Sequence, residues 1–265
     1  MLELIDKGGV SDAHPTPLLF VHGGCHAAWC WDEHFLDYFA DHGFRAVAVS
    51  LRAHGGSGSD KPLPKLSVAD FVDDVRAAAD YLGTPPVLVG HSLGGWTVQK
   101  YLERYNAPAG VLLASLPPKG VLACALRFWR KHPLISMRAN MFGENKEVFT
   151  RLPRETLFCA HTPEPIVAAT AARCQNESIR AAFLDAGFRW PKPELVSAPL
   201  LVLGGEDDGT ITNAEIHATA RAYRTQATLF PRMGHNMMVE PGWRDVAEHI
   251  RAWLGSRRLA PADGS

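Results

Sequence analysis

The sequence predicts an α/β fold: a doubly wound, mostly parallel sheet with helices on both faces, broken once by a helical insertion. Three observations predict it. Short unbroken apolar runs alternate with longer amphipathic stretches through the first half, as successive strand–helix–strand units require. That rhythm stops between residues 117 and 193, where helical spacing punctuated by Pro133, Pro153, Pro163 and Pro165 takes over, and it resumes at residue 200. With 265 residues the chain can bury a sizeable core, and open α/β folds of this length commonly form one domain.

The elements follow in order. Residues 18–21 read as a buried strand. Residues 31–42 form a helix, with Trp31, Phe35, Tyr38 and Phe39 on one face and Gly43 as its C-cap. Residues 46–51 are the next strand. Ser67-Val68-Ala69-Asp70 is a helix start signal, the apolar face runs from Phe71 to Leu82, and Gly83 ends the helix. Residues 86–89 form a short strand, 96–105 a helix and 111–115 another strand. After the interruption come strands at 200–204 and 227–230, then an amphipathic helix at 243–254. The division is thus a core of residues 1–116 and 194–256, an insertion at 117–193, and a tail from 257 to 265 expected to be disordered.

Composition excludes several classes of function. A formal charge of -1, from 27 basic and 28 acidic residues, gives no global field to attract nucleic acid or an anionic membrane. No stretch approaches the roughly 18 apolar residues that span a bilayer. The first residues carry Glu3 and Asp6 and no apolar run, unlike a secretory signal. Five cysteines, without the paired spacing of a zinc site or a disulfide framework, fit free thiols in a reducing cytoplasm. The expectation is a cytoplasmic protein with a small-molecule substrate, no metal and no cofactor.

Gly90-His91-Ser92-Leu93-Gly94 matches the Gly-x-Ser-x-Gly turn that lifts a serine hydroxyl above a sheet between a strand and a helix. In a glycine-rich chain the five residues alone carry little, and a turn with a surface serine would look the same. The strand before them and the helix after them carry the inference to Ser92 as nucleophile. Such a hydroxyl needs a base, and the base needs an acid to hold its tautomer. Among 12 histidines, His235 stands out because its loop follows the strand at 227–230, and loops after strand C-termini collect at one sheet edge. His91, next to Ser92, faces the other way in an extended chain and is read as a neighbour rather than the base. Asp207 and Asp208 follow the strand at 200–204 and are the candidate acids.

These motifs, with His22-Gly23-Gly24 and Arg52-Ala53-His54-Gly55-Gly56-Ser57, resemble the α/β-hydrolase family over residues 15 to 255 apart from the insertion. The resemblance implies a Gly-x-x-Asp acid. Gly205 then favours Asp208, whereas Gly204 would select Asp207. It also implies an oxyanion hole built from the backbone N–H groups of Gly24 and Leu93, and it makes the insertion a cap over the serine. From the cap and its surroundings Trp29, Phe128, Trp129, Met137 and Met237 are candidate pocket residues, although most aromatics there are expected to pack the cap on the sheet. Ser50 and Ala53 stand where many members have Asp and Gly.

The run from His22 to Trp31 is similar to the plant methylesterase and hydroxynitrile lyase branch. Lyases there typically carry Thr at position 23 and Lys after the histidine; Gly23 and Asn236 favour ester hydrolysis. The expected activity is cleavage of carboxylic esters of small to medium, largely apolar substrates through an acyl-enzyme. Lactone hydrolysis, C–C bond hydrolysis and perhydrolysis are alternatives on the same residues. A non-catalytic small-molecule binding protein on this fold is the alternative of another class.

Overall fold

The computed structural model describes residues 1–131 and 154–257. Its seven-stranded sheet has the order β1-β3-β2-β4-β5-β6-β7. β1 (Glu3–Lys7) is antiparallel to β3 (Ala46–Ser50). β2 (Leu18–Val21), β4 (Val87–His91), β5 (Gly110–Leu113), β6 (Leu200–Gly205) and β7 (Ala227–Phe230) complete it, and all their pairings are parallel. These strands are almost wholly Val, Leu, Ala and Gly because a parallel sheet is covered on both faces.

Side chains alternate across each strand, so the sheet sorts them into two cores. Leu18, Phe20, Val87, Val89, Leu201 and Leu203 point to the face covered by α1 (Trp29–Asp32), α2 (Phe35–Asp41) and the C-terminal helix Trp243–Gly255. Leu19, Val21, Leu88, Leu112, Leu200 and Val202 point to the face covered by α3 (Val68–Leu82), α4 (Ser92–Leu102) and the helix Asn213–Ala222. The chain proceeds from β2 outward to β3 and then crosses back to β4. The strand order therefore reverses between β2 and β4, and the loops leaving their C-terminal ends open on one crevice, where open α/β sheets bind ligands.

The structure modifies the predicted elements in four places. The helix expected at 31–42 is two helices, because His34 leaves helical geometry at φ -149. The helix expected to begin at Trp96 begins at Ser92 and ends at Leu102, its glycine-rich first turn hiding the start. β1 lacked any alternating pattern, its Leu4 and Ile5 lying side by side between charged residues. The helix Asn213–Ala222 went unread although Thr212 and Glu215 close a capping box on it. The box at Ser67 and the left-handed Gly83 at φ 73 stand where the sequence puts them.

Between β5 and β6 the described residues form helices at Leu122–Lys131, Arg154–Leu157 and Glu164–Arg173 and a π-helical turn at Arg180–Asp185. Met137 and the tail from 258 onward lie outside the described residues, as do the side chains of Phe128 and Trp129. Among the described residues, no helix is long and apolar enough to cross a membrane.

Candidate active site

β4 runs directly into α4, and Ser92 at the junction has φ 51, a left-handed conformation costly for a residue with a side chain. The turn closes only because its glycines lack side chains. A Cβ on Gly90 would lie 2.7 Å from the Gly94 carbonyl oxygen, and one on Gly94 would strike the carbonyls of Val21 and His22. The strain lifts the Ser92 hydroxyl above the C-terminal edge of the sheet.

The loops after β6 and β7 meet it there. His235 Nε2 lies 2.9 Å from Ser92 Oγ, and His235 Nδ1 lies 2.8 Å from Asp208 Oδ2. An ionised carboxylate only accepts, so Nδ1 carries the proton and Nε2 presents its lone pair to the serine hydroxyl. Asp208 is fixed by its other oxygen, which accepts from the backbone N–H groups of Thr210 and Ile211 at 2.7 and 2.9 Å. Its side chain is fully buried beside that of His235. Asp207 is exposed and meets the same loop only through its backbone N–H, which donates to Met233.

The loop after β2 closes the crevice. A Cβ built on Gly23 would come within 3.0 Å of Ser92 Cβ and 2.6 Å of His91 Nδ1, so no side chain fits at position 23 with His91 in place. Gly24 adjoins Leu93, whose Cδ2 would be 3.9 Å from a Cβ there. Leu93 is the second residue of α4, and its N–H has no carbonyl one turn back within the helix to receive it.

Three further histidines line this region, and their partners define their tautomers. His22 Nδ1 donates to the Gly23 carbonyl at 2.8 Å while Nε2 accepts from Leu51 N–H at 3.0 Å. His26 Nδ1 donates to the Gly24 carbonyl at 2.8 Å, and His91 Nε2 donates to the His235 carbonyl at 3.0 Å. Burial pushes His22 and His91 well below the ordinary imidazole range, and His26 down to about 4. All three are neutral scaffolding at physiological pH. Burial, followed by the charge of Glu177, holds the Cys25 thiol well above its usual range, so it carries no reactive thiolate.

The structure also shows what partners the unusual Ser50. Its hydroxyl donates to Glu3 Oε2 at 2.5 Å and accepts from Ala28 N–H at 2.9 Å. Glu3 Oε2 accepts in turn from Gly56 N–H at 3.0 Å. A carboxylate is thus supplied to this corner from β1, the strand the sequence left unread.

Of the candidate pocket residues, Trp29 is half-buried, stacks on His26 at 5.3 Å and lies under the Arg173 guanidinium at 4.3 Å. Met237 is fully buried in the core on the α2 face. Two acidic residues escaped sequence reasoning. Glu240, fully buried, accepts from Gly234 N–H at 2.9 Å and from the Thr162 hydroxyl at 2.9 Å, tying the His235 loop to the segment between β5 and β6. Its one sequence signal was a lone acid directly after Met237-Met238-Val239. Glu177 touches the loop after β2 and had no such marker. Among the described residues no group of three or more His, Cys, Asp or Glu could hold a metal ion.

Comparison with known proteins places the fold. The chain is 29% identical over 214 residues to a bifunctional esterase/perhydrolase of Acinetobacter calcoaceticus, covering 74% of this chain and 76% of that protein. It is 36% identical over 90 residues, a 33% share of each chain, to methyl jasmonate esterase 1 of Vitis vinifera. The solved structure of a thermophilic esterase from Thermogutta terrifontis superposes with a TM-score of 0.76 at 23% identity, over 96% of this chain and 93% of that one, a likeness of fold. Residues 18–249 match the model of the alpha/beta hydrolase family, and with the match spanning most of its length the chain belongs to that family.

Proposed function

We propose that the chain is a serine hydrolase that cleaves carboxylic esters of small to medium, largely apolar substrates through an acyl-enzyme. The observation that carries this reading is the unbroken hydrogen-bonded line from Ser92 through His235 to Asp208, at 2.9 and 2.8 Å. Ser92 Oγ attacks the ester carbonyl as His235 Nε2 takes its proton, and Asp208 holds the imidazolium that results. The backbone N–H groups of Gly24 and Leu93 receive the developing oxyanion. His235 returns the proton to the leaving alcohol, then activates water to release the acid and restore the serine.

The helical segment at 117–193 serves in this reading as the cap that excludes water and shapes the acyl and alcohol pockets. Trp29, at the mouth of the loop after β2, and Phe128, Trp129 and Met137 are its proposed lining, while Met237, expected there from the sequence, is packed in the core. The five free cysteines fit the reducing compartment proposed for the protein.

The name of the Acinetobacter relative favours a second reaction on the same intermediate, perhydrolysis. Hydrogen peroxide replaces water as the nucleophile, and the acyl group leaves as a peracid. Peracid formation from a carboxylic ester and peroxide measures it directly.

The test of the primary reading is Ser92→Ala. Its turnover of p-nitrophenyl esters should fall by about 10⁶-fold, as when a complete triad loses its nucleophile. Turnover within a few-fold of wild type would overturn the assignment.

A further inference from the structure

One short stretch of the segment between β5 and β6, residues 175–178, reaches both the loop after β2 and the loop after β3. Gln175 N–H donates to the Cys25 carbonyl at 2.9 Å. The Gln175 side chain grips the other loop, its Nε2 donating to the Ala53 carbonyl at 2.9 Å and its Oε1 accepting from Gly55 N–H at 2.8 Å. Glu177, 4% exposed, turns back so that Oε2 accepts from Cys25 N–H at 3.1 Å and Oε1 accepts from Ser178 N–H at 2.6 Å.

The residues held are those whose backbone is strained: Cys25 at φ 65 and Ala53 at φ 61. Non-glycine residues persist in that region only where their surroundings hold them there. Cys25 follows Gly24, and a Cβ on Gly24 would sit 3.4 Å from Glu177 Oε2. The carboxylate therefore pins the peptide adjoining the one that carries the proposed oxyanion donor, Gly24 N–H.

A carboxylate beside a developing oxyanion needs its own charge met. His54, whose side chain is fully buried, places Nε2 3.3 Å from Glu177 Oε2. Its Nδ1 donates to the Arg52 carbonyl at 3.0 Å, and its Nε2 faces Glu177 at ion-pair distance without hydrogen-bond geometry.

We infer that Glu177, paired with His54, is a positioning residue for ester hydrolysis: its carboxylate holds Cys25 and thereby fixes the Gly24 N–H toward the oxyanion. The inference rests on the reading of Ser92 as nucleophile. It couples turnover to the docking of a segment that supplies neither nucleophile, base nor acid.

The experiment compares wild type, Glu177→Gln and Glu177→Ala on p-nitrophenyl butyrate, with inhibition by an alkyl trifluoromethyl ketone, whose serine adduct carries the same oxyanion. Losing one oxyanion donor outright costs about 10²- to 10³-fold in kcat, so loosening it should cost about 10-fold in Glu177→Gln and about 100-fold in Glu177→Ala. KM should stay within about twofold, and the inhibition constant should rise in step with the loss of kcat/KM. Should Glu177→Ala not fold, Glu177→Gln carries the test, since the amide keeps the shape and one acceptor. Unchanged kcat and ketone affinity with only a lower Tm would overturn the inference, as would a rise in KM with ketone affinity intact. A wild type that neither turns over esters nor binds the ketone would instead overturn the reading of Ser92, and this inference with it.

Discussion

At the scale of single residues, the carboxylate pair after β6 divides into a buried side chain and an exposed one. Asp208 spends one oxygen on two backbone N–H groups and the other on His235, whereas Asp207 points its side chain outward. Asp208→Asn should lower kcat on activated esters by about 10⁴-fold, because an amide in that place favours the wrong histidine tautomer. Asp207→Asn should leave kcat within about twofold, as surface changes away from partners commonly do. Steady-state kinetics of the two variants check this, and the reverse ranking would move the acid to Asp207. The sequence itself left the two open, because either Gly204 or Gly205 could begin the acid motif. Only the turn that carries the chain past β6 decides which side chain swings inward. Glu177 was illegible for a related reason: its partners are 152 and 123 residues away in the chain, at Cys25 and His54, and no local spacing records such contacts.

At the scale of elements, legibility followed local physics. The helix Val68–Leu82 was readable at both ends because its start and stop are written in neighbouring residues, Ser67 with Asp70 and then Gly83. Ser67 Oγ accepts from Asp70 N–H at 3.3 Å and Asp70 Oδ2 accepts from Ser67 N–H at 2.8 Å. Ser67→Ala removes half of this reciprocal cap and should cost about 1 kcal/mol of stability. Urea unfolding followed by circular dichroism measures it, and an unchanged midpoint would mean the cap contributes nothing in this context. β1 was unreadable because it is an edge strand whose meaning lies in its partner: it pairs with β3 from Glu3 opposite Ser50 to Lys7 opposite Ala46, and delivers Glu3 to the corner beneath the Arg52–Ser57 loop. Once Glu3 is seen, the departure of Ser50 from the family pattern has a physical compensation.

At the scale of the whole molecule, one topological fact assembles the site. Four parallel strands, β2, β4, β6 and β7, end at the same edge, and the loops leaving them bring Gly24, Ser92, Asp208 and His235 together from residues far apart in sequence. That convergence was legible from the run of strands in the sequence, since apolar runs mark the strands and a parallel sheet gathers their C-terminal loops at one edge. The pocket was not legible, because the segment at 117–193 is helical by pattern and its docking depends on long-range contacts such as those of Gln175 and Glu240. The central claim, that Ser92 is an activated nucleophile in this crevice, is tested most directly by labelling the intact protein with a fluorophosphonate and mapping the adduct by peptide mass spectrometry. A single adduct on Ser92, abolished in Ser92→Ala and strongly slowed in His235→Ala, is the result expected; no adduct, or one on another residue that survives Ser92→Ala, would contradict it.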